Sequence, residues 1–234
     1  MSYLGVILLL GVLILIHEAG HLAAAKWTGI PVEGFSVGFG PKVWARRWGL
    51  TEYSLRAFPL GGFVMPAVQE DEFRAIALKK RLAFFVGGPL ANLATAVPLF
   101  ALLNRAEGGL SFYGTFIAPF RQAAVTCLQF LSFLPSLMTH PKMLSGVVGI
   151  VVDGGQAAHS GKTLELAISL TVSLAVLNLL PIPILDGGQI LLGLLEEIFP
   201  RAIKLRAPLT VLGMLTLVGL MVFANVHDVI RFWG

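Results

Sequence analysis

Cysteine is almost absent from this chain: Cys127 alone excludes an intramolecular disulfide and any multi-cysteine metal site, so a bound metal must rest on histidine and carboxylate. Cys127 itself reads as a small buried apolar side chain. Charge is scarce too. Only 13% of the 234 residues are charged, against about 25% in soluble domains, and the mean hydropathy is +0.82. A soluble domain is thereby excluded, and an integral membrane protein is implied. The formal charge of +4 does not indicate nucleic acid, because the basic residues fall between apolar runs without an aromatic-basic stripe, and they read instead as topology signals. No basic stretch precedes the apolar run Leu4 to Ile16, and that run ends in a polar motif, so it reads as a retained span rather than a cleaved leader.

The polar motif is His17-Glu18-Ala19-Gly20-His21, an HExxH sequence set in residues that otherwise belong in lipid. On a helix, four residues advance about 400°, so His17 and His21 share a face about 40° wide and are placed to bind one metal ion. Glu18 stands about 100° round from His17, free of the metal and placed to take a proton from an attacking water. A structural Glu–His pair between helices is the plainer reading, but such groups are rarely tolerated in an apolar span without a task.

Four transmembrane helices are expected, at about 3–25, 82–103, 164–180 and 208–226, in a membrane α-helical fold with a small membrane-associated β-sheet or hairpin region after the first helix. Lys26-Trp27 closes the first span as an interfacial pair. Between residues 29 and 65, short alternating stretches separated by Gly and Pro read as strands whose free edge could hold an extended peptide beside the metal. Glu70 to Arg81 reads as a solvated helical connector, and residues 145–155 as a Gly-rich loop. Asn92 in the second span must face protein, as an interhelical hydrogen bond or near substrate. The 105–162 segment is expected to be external and interfacial, including its apolar stretch Phe112 to Met138, and the whole chain forms one domain. Pro181 and Pro183 break the third span, which is tolerated at membrane depth where the freed backbone lines a protein cavity.

Nine basic residues lie between Lys26 and Arg81 and three more follow the third span, against four spread from Arg105 to Lys162 and Arg231 alone at the C-terminus. The positive-inside rule places both termini outside and the Lys26 end of the first span in the cytoplasm. A catalytic zinc needs a third protein ligand, and Asp153 and Asp186 share the tetrapeptide Asp-Gly-Gly-Gln. With four spans, the third runs inward and delivers Asp186 to the side of His17 and His21, leaving Asp153 outside. The same parity forbids Phe112 to Met138 from crossing alone. His140, His159 and His227 read as solvated or interfacial, and Glu196 and Glu197 as the solvated start of a cytoplasmic loop.

HEAGH in a first span, GFSVGFGPKVW, PLGGFV, GGPLAN in a second span and NLLPIPILDGG closing a third resemble the site-2 proteases, intramembrane zinc metalloproteases, and most closely the bacterial branch that cleaves anti-sigma factors. The resemblance covers nearly the whole chain. It implies Zn2+ on His17, His21 and Asp186, with Glu18 as catalytic base. It also implies substrate contacts at Asn178, Asn92, Pro181 and Pro183, and at Gly61 and Gly62 of the β segment. The implied partner is a single-span membrane protein, cleaved in a bacterial inner membrane on its cytoplasmic side. Members of that branch carry PDZ domains between the second and third spans, and Arg105 to Lys162 is too short to hold one. The rival expectation is a zinc transporter or sensor with the same ligands, but transporters are usually built from repeated halves, and the chain has no internal repeat.

Overall fold

α1 (Tyr3–Thr28) is long and apolar enough to cross a bilayer, as are α3 (Leu78–Gly108) and the stretch Pro200–Trp233 that holds α9 (Ile203–Trp233). The computed structural model describes residues 3–139 and 144–234, so His140 lies outside the described residues. The expected third span is a shorter helix, α7 (Thr163–Asn178), whose 16 residues rise about 24 Å against a hydrocarbon core of about 30 Å. The described residues thus hold three helical stretches long and apolar enough to cross a bilayer and one shorter apolar helix where the third span, about 164–180, is expected. The cause is local: Pro181 and Pro183 end the helix, and the chain turns through residues 179–185 before restarting as α8 (Asp186–Ile198).

α1 and α3 cross at their small residues. A Cβ on Gly20 would stand 2.2 Å from the Gly87 carbonyl oxygen, and one on Gly87 would stand 2.6 Å from that of Gly20, so only glycine lets the two backbones meet here. α7 packs on α3 through Ala96, Phe100, Ile168, Val172 and Val176. α5 (Ala118–Thr139) joins the same cluster with Ala123, Phe130 and Leu134, and the half-buried Cys127 sits beside it. α4 (Phe112–Phe116) precedes it, and α2 (Glu70–Ala75) is separated from α3 by an extended Ile76-Ala77 step, so the expected single charged helix is two.

Two long, bent strands, β1 (Val32–Trp48) and β2 (Thr51–Pro66), form a small antiparallel sheet. The first half of β1 has neighbours on both sides: Phe35, Ser36 and Val37 pair with Val64, Phe63 and Gly62 on one and with Tyr53, Ser54 and Leu55 on the other. Its second half, Trp44 to Trp48, pairs back onto Leu55 to Thr51. Ile30, Val32, Phe35 and Val37 pack against Leu22, Ala25 and Phe84, which fixes the sheet to the Lys26 end of α1. At its other extreme Pro59 meets Gly11, where a Cβ would stand 3.1 Å from the proline ring. Gly11 is about 22 Å along α1 from Lys26, so the sheet reaches far down the membrane-spanning helix rather than resting at its end.

The expected loop at 145–155 is instead helix α6 (Val147–His159). Its glycines serve packing: Cβ atoms on Gly149 and Gly155 would run into Asp228 and Tyr3. Its N-terminus is capped from α9, where buried Asp228 accepts from the Gly146 and Gly149 amides at 2.7 and 2.8 Å and Asn225 accepts from Val148 at 3.1 Å. A cap supplied by a helix nearly eighty residues away leaves no local sequence signal.

Candidate metal centre

His17 and His21 lie on the face of α1 that meets α3, and both are buried. Their Nε2 atoms are 3.1 Å apart. Asp186 Oδ2 lies 3.2 Å from the first and 3.4 Å from the second, which closes a triangle of three ligand atoms. A tetrahedral zinc with bonds of about 2.0–2.2 Å separates its ligand atoms by roughly 3.3–3.6 Å. The triangle is therefore the right size for one zinc, and Asp186 Oδ2, buried and without a hydrogen-bond donor, is the orphaned atom such an ion would satisfy. Among the described residues this is the one group of three or more His, Cys, Asp or Glu side chains suited to a metal.

Each ligand is oriented from behind. His21 Nδ1 donates to the Phe84 carbonyl at 2.8 Å, which turns Nε2 toward the centre. His17 Nδ1 lies 3.2 Å from the carboxamide of Asn92, a residue with no exposed surface. The nearer atom is Asn92 Nδ2; with metal on Nε2, Nδ1 carries a proton, and turning the amide over makes its oxygen the acceptor and gives the otherwise unpaired Asn92 Oδ1 a partner. The backbone of Asn92 is tied in turn to α7, its carbonyl accepting from buried Thr171 at 3.1 Å. Of the two readings of Asn92, an interhelical hydrogen bond or a place near substrate, the structure shows the first, behind a ligand.

Asp186 opens α8, and the two glycines after it are what let the turn fold back. A Cβ on Gly187 would meet the Leu179 carbonyl oxygen at 2.1 Å, and one on Gly188 that of Ile182 at 2.0 Å. Further along α8, Glu196 is not solvated as expected. It receives Arg206 of α9 through two contacts, 2.6 and 3.0 Å, while another Arg206 nitrogen reaches Gln189 at 2.7 Å and buried Arg81 of α3 approaches at 3.9 Å. These contacts tie the helix that carries Asp186 to both neighbours. The sequence signal was present, since Glu196 and Arg206 flank a short turn, but solvation was the simpler reading.

Glu18 is buried, and Gly62 of β2 lies against it: a Cβ there would stand 2.6 Å from Glu18 Cγ. Gly61 beside it has φ +140°, with the Phe39 ring in the space a side chain would take. Gly88 of α3 keeps the metal face clear, since a Cβ would sit 2.3 Å from His21 Nε2 and 2.7 Å from His17 Nε2. Gly88→Ala is therefore expected to drop zinc content from one per chain to near zero while leaving helix content unchanged, as read by elemental analysis and circular dichroism.

Of the remaining expected residues, Asn178 donates back to the Leu174 carbonyl at 2.9 Å within its own helix, and Pro183 packs near Gly213 of α9. Asp153 is kept apart from the metal face, paired with Arg231 at 3.3 Å. His159 is exposed, and His227 stacks on Phe223. A groove of about 650 Å³ runs from Val64 and Met65, past Phe84 and Phe85, to Thr210 and Val211 of α9. It brings the outer edge of residues 62–66, which has no strand partner among the described residues, alongside the residue whose carbonyl holds His21.

Residues 5–222 match the family model described as Peptidase family M50. A Campylobacter jejuni protein whose name places it among zinc metalloproteases is 26% identical over an alignment covering all of this chain and 94% of that protein. One from Clostridium perfringens, similarly named, is 26% identical over 93% of this chain and 95% of its own length. A third, from Clostridium acetobutylicum, is 43% identical over 44% of the chain and 32% of that protein. The Campylobacter alignment extends over 347 positions against the 234 residues here, so that relative carries sequence this chain lacks.

Proposed function

This chain belongs to peptidase family M50 and is a zinc metalloprotease, and from that premise we propose that it cleaves a peptide bond within or beside the transmembrane segment of a single-span membrane protein. The observation that carries this reading is the placement of the ligand triangle: two of its three corners belong to a helix long and apolar enough to span a bilayer, and both are buried well inside it. In this reading the site lies toward the cytoplasmic side of a bacterial inner membrane, as the basic residues near Lys26 indicate, and an anti-sigma factor fits the substrate class.

Zinc held by His17, His21 and Asp186 supplies Lewis acidity that polarises a carbonyl and eases ionisation of water. Glu18 accepts the proton that the attacking water loses and returns a proton to the leaving amine nitrogen. A helical substrate shields its amides, so it must unwind to be cut. The unpaired edge at residues 62–66 offers replacement backbone hydrogen bonds, and the groove beside it leads toward the metal face. Gly61 and Gly62 keep that edge close to Glu18. In this reading Pro181 and Pro183, in the turn before Asp186, and Asn178, the last residue of α7, contact the substrate.

The test is incubation of the purified protein in detergent with single-span membrane proteins, followed by mass spectrometry of the fragments. Cuts inside or next to the transmembrane segment, abolished by a zinc chelator, are the expected result. Zinc flux through proteoliposomes with no cleavage of any membrane substrate would overturn it in favour of transport.

A further inference from the structure

A second cavity, of about 890 Å³, lies between α1 and the sheet, within the size range of small-molecule sites. It is not an approach to the metal. Its α1 wall is Leu8, Val12 and Leu15, which stand about 180°, 140° and 160° round the helix from His17. The sheet contributes Trp44, Arg46 and Trp48 from one strand and Tyr53 and Leu55 from its neighbour, alternate residues of a single face. The opposite face carries Arg47, Glu52 and Arg56, and there Lys42 takes the Glu52 carboxylate in an ion pair.

The cavity is graded along its length. Lys26 donates to the Tyr53 hydroxyl at 3.1 Å, and Arg46 pairs across the strands with Tyr53 and stacks its guanidinium on Trp48. These two cations gather at one end, and among the described residues no acidic side chain lines the cavity. The other end, by Gly11 and Pro59, is apolar. Leu15 lies about 16 Å along the helix from Lys26, close to the roughly 15 Å depth of one leaflet's hydrocarbon.

We propose that this cavity binds one anionic phospholipid of the leaflet at the Lys26 end, its headgroup phosphate between Lys26 and Arg46 and an acyl chain along Leu15 and Val12 beneath Trp44 and Leu55. Two uncompensated cations at the interface end complement the phosphate. The aromatic rings between them and the apolar wall suit the zone below the headgroup. Such a lipid covers Trp44, Trp48 and Leu55, which are exposed on that face, and holds the sheet that bears Gly62 at its distance from α1.

Brominated lipids quench tryptophan on contact. In a Trp27→Phe, Trp233→Phe background, which removes two exposed rings, Trp44 and Trp48 alone report. In phosphatidylcholine nanodiscs, a small fraction of brominated phosphatidylglycerol is expected to quench with about tenfold higher apparent affinity than the same fraction of brominated phosphatidylcholine. Lys26→Gln with Arg46→Gln should abolish that preference, and Lys26→Arg with Arg46→Lys should keep it, both retaining one zinc per chain as proof of folding. Glycerol phosphate added in water should not reverse the quenching, since it lacks the chains. Equal quenching by the two lipids in the parent protein overturns the proposal, as does a preference that survives the neutral pair. Loss of quenching through self-association of the chain, seen by native mass spectrometry, would assign the face to a second copy and overturn it equally.

Discussion

Glu18→Gln is expected to keep zinc at one per chain and to lower the rate of peptide hydrolysis by about 10²–10⁴-fold, the usual worth of a positioned acid-base group, or about 3–5 kcal/mol of barrier. The separation of binding from turnover follows from position. His17, His21 and Asp186 close the ligand triangle without Glu18, which lies beside the Gly62 backbone. A carboxamide of the same shape fits that slot, and being uncharged it is no costlier to bury. What it cannot do is accept the proton lost by the attacking water. Zinc measured by elemental analysis and single-turnover cleavage of a membrane substrate check the two halves separately. Wild-type turnover by the Gln protein would remove Glu18 from the chemistry, and loss of zinc would make it part of the metal's support instead.

The metal face was legible in the sequence because its two histidines are four residues apart on one helix, where spacing fixes geometry. The distant ligand was legible for a different reason: counting spans restricts which side of a bilayer an aspartate can reach, and Asp186 does join the histidines while Asp153 does not. The third member of that count, expected at about 164–180, corresponds to α7, which is shorter than a full span and ends just before the turn that delivers Asp186. The supports behind the ligands were not legible. Nothing local to Asn92 says that its carboxamide meets His17 rather than a peptide, and nothing local to Glu196 says that Arg206 folds back to bury it. Nor does Gly-rich sequence announce α6, whose glycines are required by Tyr3 and Asp228, at opposite ends of the chain. In each case the deciding partner is far off in sequence, and helix packing supplies what spacing cannot.

Asp186→Ala against Asp153→Ala sets the two Asp-Gly-Gly-Gln tetrapeptides in direct competition, and the expected contrast is the largest available from single substitutions. Losing Asp186 leaves two imidazoles and removes the one negative charge in the triangle, so zinc affinity should fall by more than the roughly 10–100-fold that loss of an outer-shell partner costs, and cleavage should fall below detection. The helix it begins remains held through Glu196, Gln189 and Arg206, so circular dichroism should show the fold intact. Losing Asp153 breaks one exposed pair with Arg231, worth about 0–1 kcal/mol, and both zinc content and turnover should match the parent protein. The reverse outcome, zinc lost with Asp153 and kept without Asp186, would mean that the span count placing Asp186 on the side of His17 and His21 is wrong. It would also mean that the ligand triangle is a packing coincidence. Because both variants remove the same group from the same tetrapeptide, a general effect of deleting a carboxylate cancels between them, and what remains is the difference between a buried corner of the metal face and an ion pair at the surface.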